Sequence, residues 1–259
     1  MSTKLSAIII AKNEEKRIAK CLENVAFADE RIVVDNGSID KTIDIARSKG
    51  AKIFGAKEKD FSSVRELGLR EASGKWVLYI DADEEVGEAL QTEIRSVIGS
   101  SSTVTTYLVK RDTYYLGYHW PYQDVVERLF LKSALKGWHG KLHETPVFTG
   151  QTAILTQPLI HRTHRTLEEM LAKTNDWSVI EARLRYEGDH PPVVWWRLLR
   201  VMITGFCRSF FAQGGWKAGT LGWIESIYQA FSMFITYAKL WEMQQISSKS
   251  EVVNKKAIA

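Results

Sequence analysis

Cysteine is nearly absent: Cys21 and Cys207 are the only two in 259 residues. They lie far apart without metal-ligand spacing, which argues against a disulfide framework and points to a reducing compartment. Long apolar runs are scarce at the start as well. The opening stretch MSTKLSAIIIAKNEE has too short an apolar run for a signal peptide, and no small-residue cleavage site follows it. It reads as a first β-strand. There is no internal repeat and no low-complexity segment. Charge of one sign is also scarce, at a formal net of only +4. The basic residues are scattered rather than interleaved with aromatics in one strip, so nucleic-acid binding has no support. Mild basicity suits anionic partners such as nucleotides, phospholipid headgroups or phosphorylated glycans, without choosing among them.

What is present is apolar mass, 45% of the residues, enough for one sizeable core or one domain plus an appendage. Residues 5–11, LSAIIIA, form a continuous β-branched run, as expected of a strand buried on both faces. An amphipathic helix follows, with Ile18, Leu22 and Val25 on one side. RIVVDNGS reads as a second strand and turn, DKTIDIARSKG as a helix closed by Gly50, and AKIFGA as a third strand. FSSVRELGLREASG reads as a helix and KWVLYIDAD as a fourth strand. Such alternation predicts a parallel, doubly wound α/β sheet. Ligands bind such sheets beyond the carboxyl ends of the strands, where KNEE, DNGS and DADEE all fall. After about residue 100, TVTTYLVKR, VERLFLK and TPVFTGQTAIL predict an antiparallel or mixed extension. From about residue 161 the chain turns helical.

The stretch KWVLYIDADEE places Asp81, Asp83, Glu84 and Glu85 directly after an apolar strand. Ionised carboxylates crowded at a sheet end need a counter-charge. Asp81 and Asp83 stand at i and i+2, so in extended backbone both face one side. Such oxygens suit Mg²⁺ or Mn²⁺ completed by phosphates and water. Glu84 and Glu85 read as the start of the next helix. In VVDNGSIDKT, Asn36-Gly37 supplies a turn, and Ser38 or Asp40 is placed to cap the following helix.

Taken in order, IIIAKNEE, VVDNGSIDKT and REASGKWVLYIDADE resemble the nucleotide-sugar-binding half of family 2 glycosyltransferases of GT-A fold. The resemblance is specific over roughly residues 4–100 and looser beyond. It implies a Rossmann-like α/β domain over residues 1–160 that binds a UDP-sugar donor and a divalent cation. Ala11, Asn13 and Glu14 would lie against the uridine, and Asp35 would fix the nucleoside. Arg65 matches a basic position near the nucleotide. Asp81 would face the ribose and diphosphate, and Asp83 would be the direct metal ligand. The segment VERLFLKSALKGWHGKLHETPVF looks like the corresponding part of bacterial lipopolysaccharide-core glucosyltransferases. There the resemblance makes Glu144 the base for an inverting transfer, with Asp124 and Glu127 as fallbacks. His143 would orient acceptor or diphosphate. Trp138 reads either as a ring stacked on a sugar or as a buried hairpin residue. His161 and His164 read as helix-start residues or a phosphate contact rather than a metal pair, because no further ligand completes the set. Transfer to a polyprenyl phosphate, and a non-catalytic nucleotide-binding scaffold, are the competing readings.

Residues 161–245 form a helical region, followed by a flexible polar tail at 246–259. In VVWWRLLRVMITGFCRSFF, Arg197, Arg200, Thr204 and Arg208 share one stripe about 80° wide. In LGWIESIYQAFSMFITYAKLW, the polar residues Glu225, Gln229, Ser232, Thr236 and Lys239 make another. Two helices this apolar predict packing on the core, on a second subunit in a homo-oligomer, or on a membrane surface. A lipid-linked glycan acceptor fits peripheral attachment to the cytoplasmic face of the inner membrane.

Overall fold

Four of the apolar runs form the parallel strands β1 (Leu5–Ala11), β2 (Glu30–Asp35), β3 (Lys52–Gly55) and β4 (Trp76–Asp81). Successive side chains on a strand point to opposite faces, and here both faces are covered. Ile8, Ile32, Val34, Val77 and Tyr79 pack into one core. Ala7, Ile9, Val33, Leu78 and Ile80 pack into the other. This is why the strands read as unbroken apolar runs. The computed structural model describes residues 4–56, 60–140, 144–163 and 165–258, without the side chains of Phe61 and of residues 247–258.

The connecting helices are α1 (Ile18–Asn24), α2 (Thr42–Ser48), α3 (Phe61–Glu71) and α4 (Glu88–Gly99). Ile18 and Leu22 of α1, with Val25 just beyond it, are fully buried, as the period requires. Asp60 caps α3 by accepting the Ser63 N–H at 3.0 Å. Gly68 lets α3 lie close on the sheet, since a Cβ there would stand 2.5 Å from Ile8 Cγ2. That approach brings Arg65, one turn earlier, to the carboxyl end of the strands.

The remaining strands are β5 (Glu84–Glu85), β6 (Val104–Tyr115), β7 (Tyr118–Leu131), β8 (Leu135–His139), β9 (Thr145–Phe148) and β10 (Gln151–Thr163). The large sheet has the order β3-β2-β1-β4-β7-β6-β10-β5, while β8 and β9 pair separately. Strand β7 joins β4 antiparallel, with Leu78 opposite Leu129. The α/β sheet flanked by helices and its antiparallel extension are thus as expected. One local expectation is corrected: Glu84 and Glu85 do not begin a helix. They pair antiparallel with His161 and Ile160 of β10, and α4 starts only at Glu88.

Two compact units divide the chain: residues 1–113 with 123–162, and residues 114–122 with 163–259. The tip of the β6–β7 hairpin thus groups with the helices, which periodicity does not signal. The second unit contains α5 (Leu167–Glu187), α6 (Trp195–Cys207) and α7 (Gly219–Ile258). A π-helical turn at Arg208–Ala212 extends α6. Helix α7 runs on through the polar stretch read as a flexible tail, because no Gly or Pro follows Gly222 to stop it. Among the described residues, no helix is long and apolar enough to cross a membrane.

Candidate active site

The carboxyl end of β1 is built from backbone bent to a special shape. Asn13 adopts the left-handed region at φ 57°, which Asn tolerates better than most residues. Its N–H donates to Ser38 Oγ at 2.9 Å, and its Oδ1 accepts the Ile39 N–H at 2.9 Å. The Glu14 N–H donates to Thr42 Oγ1 at 2.7 Å, and the Glu15 N–H to Asp40 Oδ2 at 3.1 Å. The loop after β1 is therefore zipped to the loop after β2. Asp35 is buried and accepts the N–H groups of Gly37 at 3.1 Å and Ser38 at 3.2 Å. Ala11 is buried in the core. Asp40 acts as expected at the start of α2, accepting the Thr42 N–H at 3.0 Å.

The acidic cluster meets three arginines from other elements. Arg128, on β7, donates to Asp81 Oδ2 at 2.6 Å and to Glu84. Arg111, on β6, reaches Glu84 at 3.3 Å and forks onto Asp124. Arg65 donates from Nη2 to Asp81 Oδ1 at 3.3 Å and from Nε to Glu144 Oε1 at 2.6 Å. Glu84 also accepts the Asp81 N–H at 2.9 Å, so the DADE segment closes on itself. Burial opposes the charge on Asp81, but Arg128 and Arg65 outweigh it and hold the carboxyl far below the usual range. Glu84 moves the other way, because complete burial and the adjacent Asp81 charge exceed the pull of Arg128 and Arg111. Burial, reinforced by the surrounding carboxylates, pushes the Cys21 thiol well up, so it stays protonated and is no nucleophile.

Arg65 sits on an aromatic bed. Its guanidinium lies 4.8 Å from the Trp138 ring centroid and 5.6 Å from that of Tyr79. Trp138 Nε1 donates to the Tyr79 hydroxyl at 3.2 Å, and that hydroxyl donates to the Arg65 carbonyl at 2.9 Å. Trp138 is thus the buried residue of the two alternatives, and its ring holds Arg65 in plane.

Asp83 faces a histidine. Its Oδ2 lies 3.4 Å from His161 Nε2, while His161 Nδ1 lies 3.4 Å from Thr113 Oγ1. His161 stands on β10, not at a helix start, because β10 extends to Thr163 to pair with β5. His143 and His164 lie outside the described residues. Glu127, the other fallback base, is half-buried on β7. Among the described residues, no group of three or more His, Cys, Asp or Glu could hold a metal by itself.

Arg128 and Arg111 were not singled out from the sequence. A signal for Arg128 existed: it continues the fully buried run Leu129–Phe130 on a strand, and a charge in that position needs a partner. His161, read from the sequence as a helix-start residue or a phosphate contact, carried no signal for its place on a strand beside Asp83.

The mostly parallel sheet flanked by helices, with acidic and basic side chains gathered at its carboxyl end, defines an enzyme of the α/β class. Residues 6–161 match the family described as glycosyl transferase family 2, and the chain belongs to that family; it is a glycosyltransferase. It is similar to the lipopolysaccharide core biosynthesis glycosyltransferase LpsC of Rhizobium meliloti (strain 1021). Identity is 29%, over 96% of each chain. An uncharacterised glycosyltransferase of Rickettsia prowazekii (strain Madrid E) is 31% identical, over 96% of this chain and 90% of its own. Among solved structures it is similar to glucosyl-3-phosphoglycerate synthase from Mycobacterium tuberculosis, crystallised with Mn²⁺, UDP and glucosyl-3-phosphoglycerate. That likeness has 20% identity and a TM-score of 0.40, over 51% of this chain and 58% of the other.

Proposed function

We propose that this glycosyltransferase is inverting and divalent-metal-dependent, moving glucose from UDP-glucose onto a lipopolysaccharide inner-core sugar. It would work at the cytoplasmic face of the inner membrane. The observation that carries the reading is the chain of contacts from Asp81 through Arg65 to Glu144, with Asp83 two residues on. The acceptor class is supported by similarity to LpsC over nearly the whole length.

In this reading Ala11, Asn13 and Glu14 flank the uridine, and Asp35 shapes the turn that meets the nucleoside. Asp83 and His161 would supply one carboxylate and one imidazole, a donor set that suits Mn²⁺ better than Mg²⁺, the other ligands coming from diphosphate and water. Such a cation would offset charge developing on the leaving diphosphate. Asp81, already held by two guanidiniums, orients the donor beside that pair. Glu144 takes the acceptor hydroxyl's proton as the acceptor oxygen bonds to the sugar's anomeric carbon, whose bond to the diphosphate breaks to release UDP. The Arg65 guanidinium engages the Glu144 carboxylate. A diphosphate competing for the Arg65 guanidinium frees it, so donor binding precedes proton removal.

The test is a panel of UDP- and GDP-sugars with Mn²⁺ or Mg²⁺, scored by hydrolysis and by transfer to purified core lipid. Transfer from UDP-glucose is expected, with kcat lowered about 10²–10⁴-fold in Glu144→Gln. Full activity in that variant would favour a polyprenyl phosphate acceptor, whose oxygen is already anionic. No turnover of any donor would leave only a nucleotide-binding scaffold.

A further inference from the structure

The helical unit is built inside out. The polar stripe of α7 faces inward: Glu225 and Thr236 are each 2% exposed and Ser226 is fully buried. Ser226 bonds to Ser209 at 3.1 Å, and Lys239 reaches the Asn175 carbonyl of α5 at 2.7 Å and Ser178 Oγ at 2.9 Å. The apolar side of α7 faces outward instead, with Trp223 54% and Ile227 57% exposed. On α6, Leu199 is 52% and Ile203 63% exposed, one helical turn apart. Trp223 joins the two helices into one face, its ring 5.7 Å from Phe206 and 4.6 Å from Phe210.

Charge on this face has one sign. Residues 190–224 contain Arg197, Arg200, Arg208 and Lys217 but no Asp or Glu. Arg200 and Arg208 are exposed. Arg197 and Arg200 lie over the Trp196 ring, and Lys217 over Trp216. Cations with long apolar stems beside exposed tryptophans match the boundary between headgroups and acyl chains.

We propose that this α6–α7 face inserts into the surface of a bilayer containing anionic phospholipids. This deepens the peripheral placement above by assigning the face, its depth-setting residues and the lipid charge. A second copy of the chain is a poorer occupant, since an isologous contact would bring the same cations together with no carboxylates from this stretch to meet them. An anionic leaflet both accepts the apolar ridge and neutralises the cations.

The test is co-sedimentation of the full chain with vesicles of phosphatidylcholine alone, or with one third phosphatidylglycerol. Tight binding is expected only to the anionic vesicles. Ile203→Ser/Ile227→Ser should weaken it at least about tenfold, and Arg200→Gln/Arg208→Gln about fivefold per cation at low salt. Should the isoleucine pair fail to fold by circular dichroism, Ile203→Ser alone serves, with about a threefold loss expected. Absence of binding, equal binding to both vesicle types, or variants indistinguishable from wild type would overturn the proposal. So would a wild-type dimer that the isoleucine pair dissolves. Hydrolysis of UDP-sugar needs no vesicle, so the transferase reading stands or falls separately.

Discussion

The two units depart from the usual apolar-in, polar-out pattern in different ways. In the α/β unit, charge is taken inside: Glu84 is 1%, Arg128 5% and Arg65 7% exposed, each paired with opposite charge. In the helical unit, large apolar side chains are left outside, while Ala182, Val193, Val201, Tyr237 and Leu240 form a small buried apolar cluster. Buried ion pairs rarely add net stability, because desolvation cancels most of the attraction. Exposed apolar faces add none either. On the readings proposed above, the first departure answers a charged ligand and the second a lipid surface.

The comparison is broken most severely by removing the carboxylate that meets His161. Asp83→Ala should lower sugar transfer about a thousandfold, with a smaller loss of stability than Arg128→Met. Steady-state kinetics with a Mn²⁺ titration, alongside a thermal melt, checks both halves. A large loss of stability instead would put Asp83 among the structural charges.

Next comes the arginine beneath it. Arg128→Met leaves Asp81 and Glu84 facing one another with less cation, and should cost about 3 kcal/mol in denaturant unfolding. Adding Glu84→Gln removes one of the stranded charges and should return part of that stability. If the double variant is no more stable than the single, the two groups do not act as a pair.

Much of this first unit was legible in the sequence. Strands buried on both faces write themselves as unbroken apolar runs, and the polar clusters that end them mark the crevice. Partners distant in sequence were not legible. Arg65 and Glu144 lie 79 residues apart and Arg128 and Asp81 lie 47 apart, and no local period reports an antiparallel strand's neighbour. Glu84 misled because a carboxylate after a strand commonly opens a helix, whereas pairing with β10 claimed it. In the helical unit, the stripe of Glu225, Gln229 and Thr236 was visible as a period. Periodicity gives two faces but never says which one points in.

A smaller effect isolates a buried carboxylate with a purely structural role. Glu30 accepts from Ser6 Oγ at 2.5 Å, Ser73 N–H at 2.8 Å and Lys52 Nζ at 2.6 Å. Burial works against its charge, yet these donors take its pKa down from 4.5 to about 2. A folded value below the unfolded one means stability that is present above about pH 4.5 and lost as pH falls toward 2. Glu30→Gln should cost about 2 kcal/mol at pH 7, with the difference from wild type closing as the pH is lowered through that window. Urea titrations at several pH values read it directly.

The smallest expected change is the one that separates the units most sharply. A side chain with Ile227's apolar area costs about 1–3 kcal/mol or more to truncate in a packed core. Ile227 is 57% exposed on α7, so Ile227→Ser should shift the unfolding free energy by no more than about 0.5 kcal/mol. The same substitution should weaken binding to anionic vesicles. A residue whose loss leaves the folded chain untouched but loosens its hold on lipid belongs to an outward-facing surface. A cost near the core value, with vesicle binding unchanged, would mean that the apolar face of α7 is covered by protein and that the contrast between the units is one of packing alone.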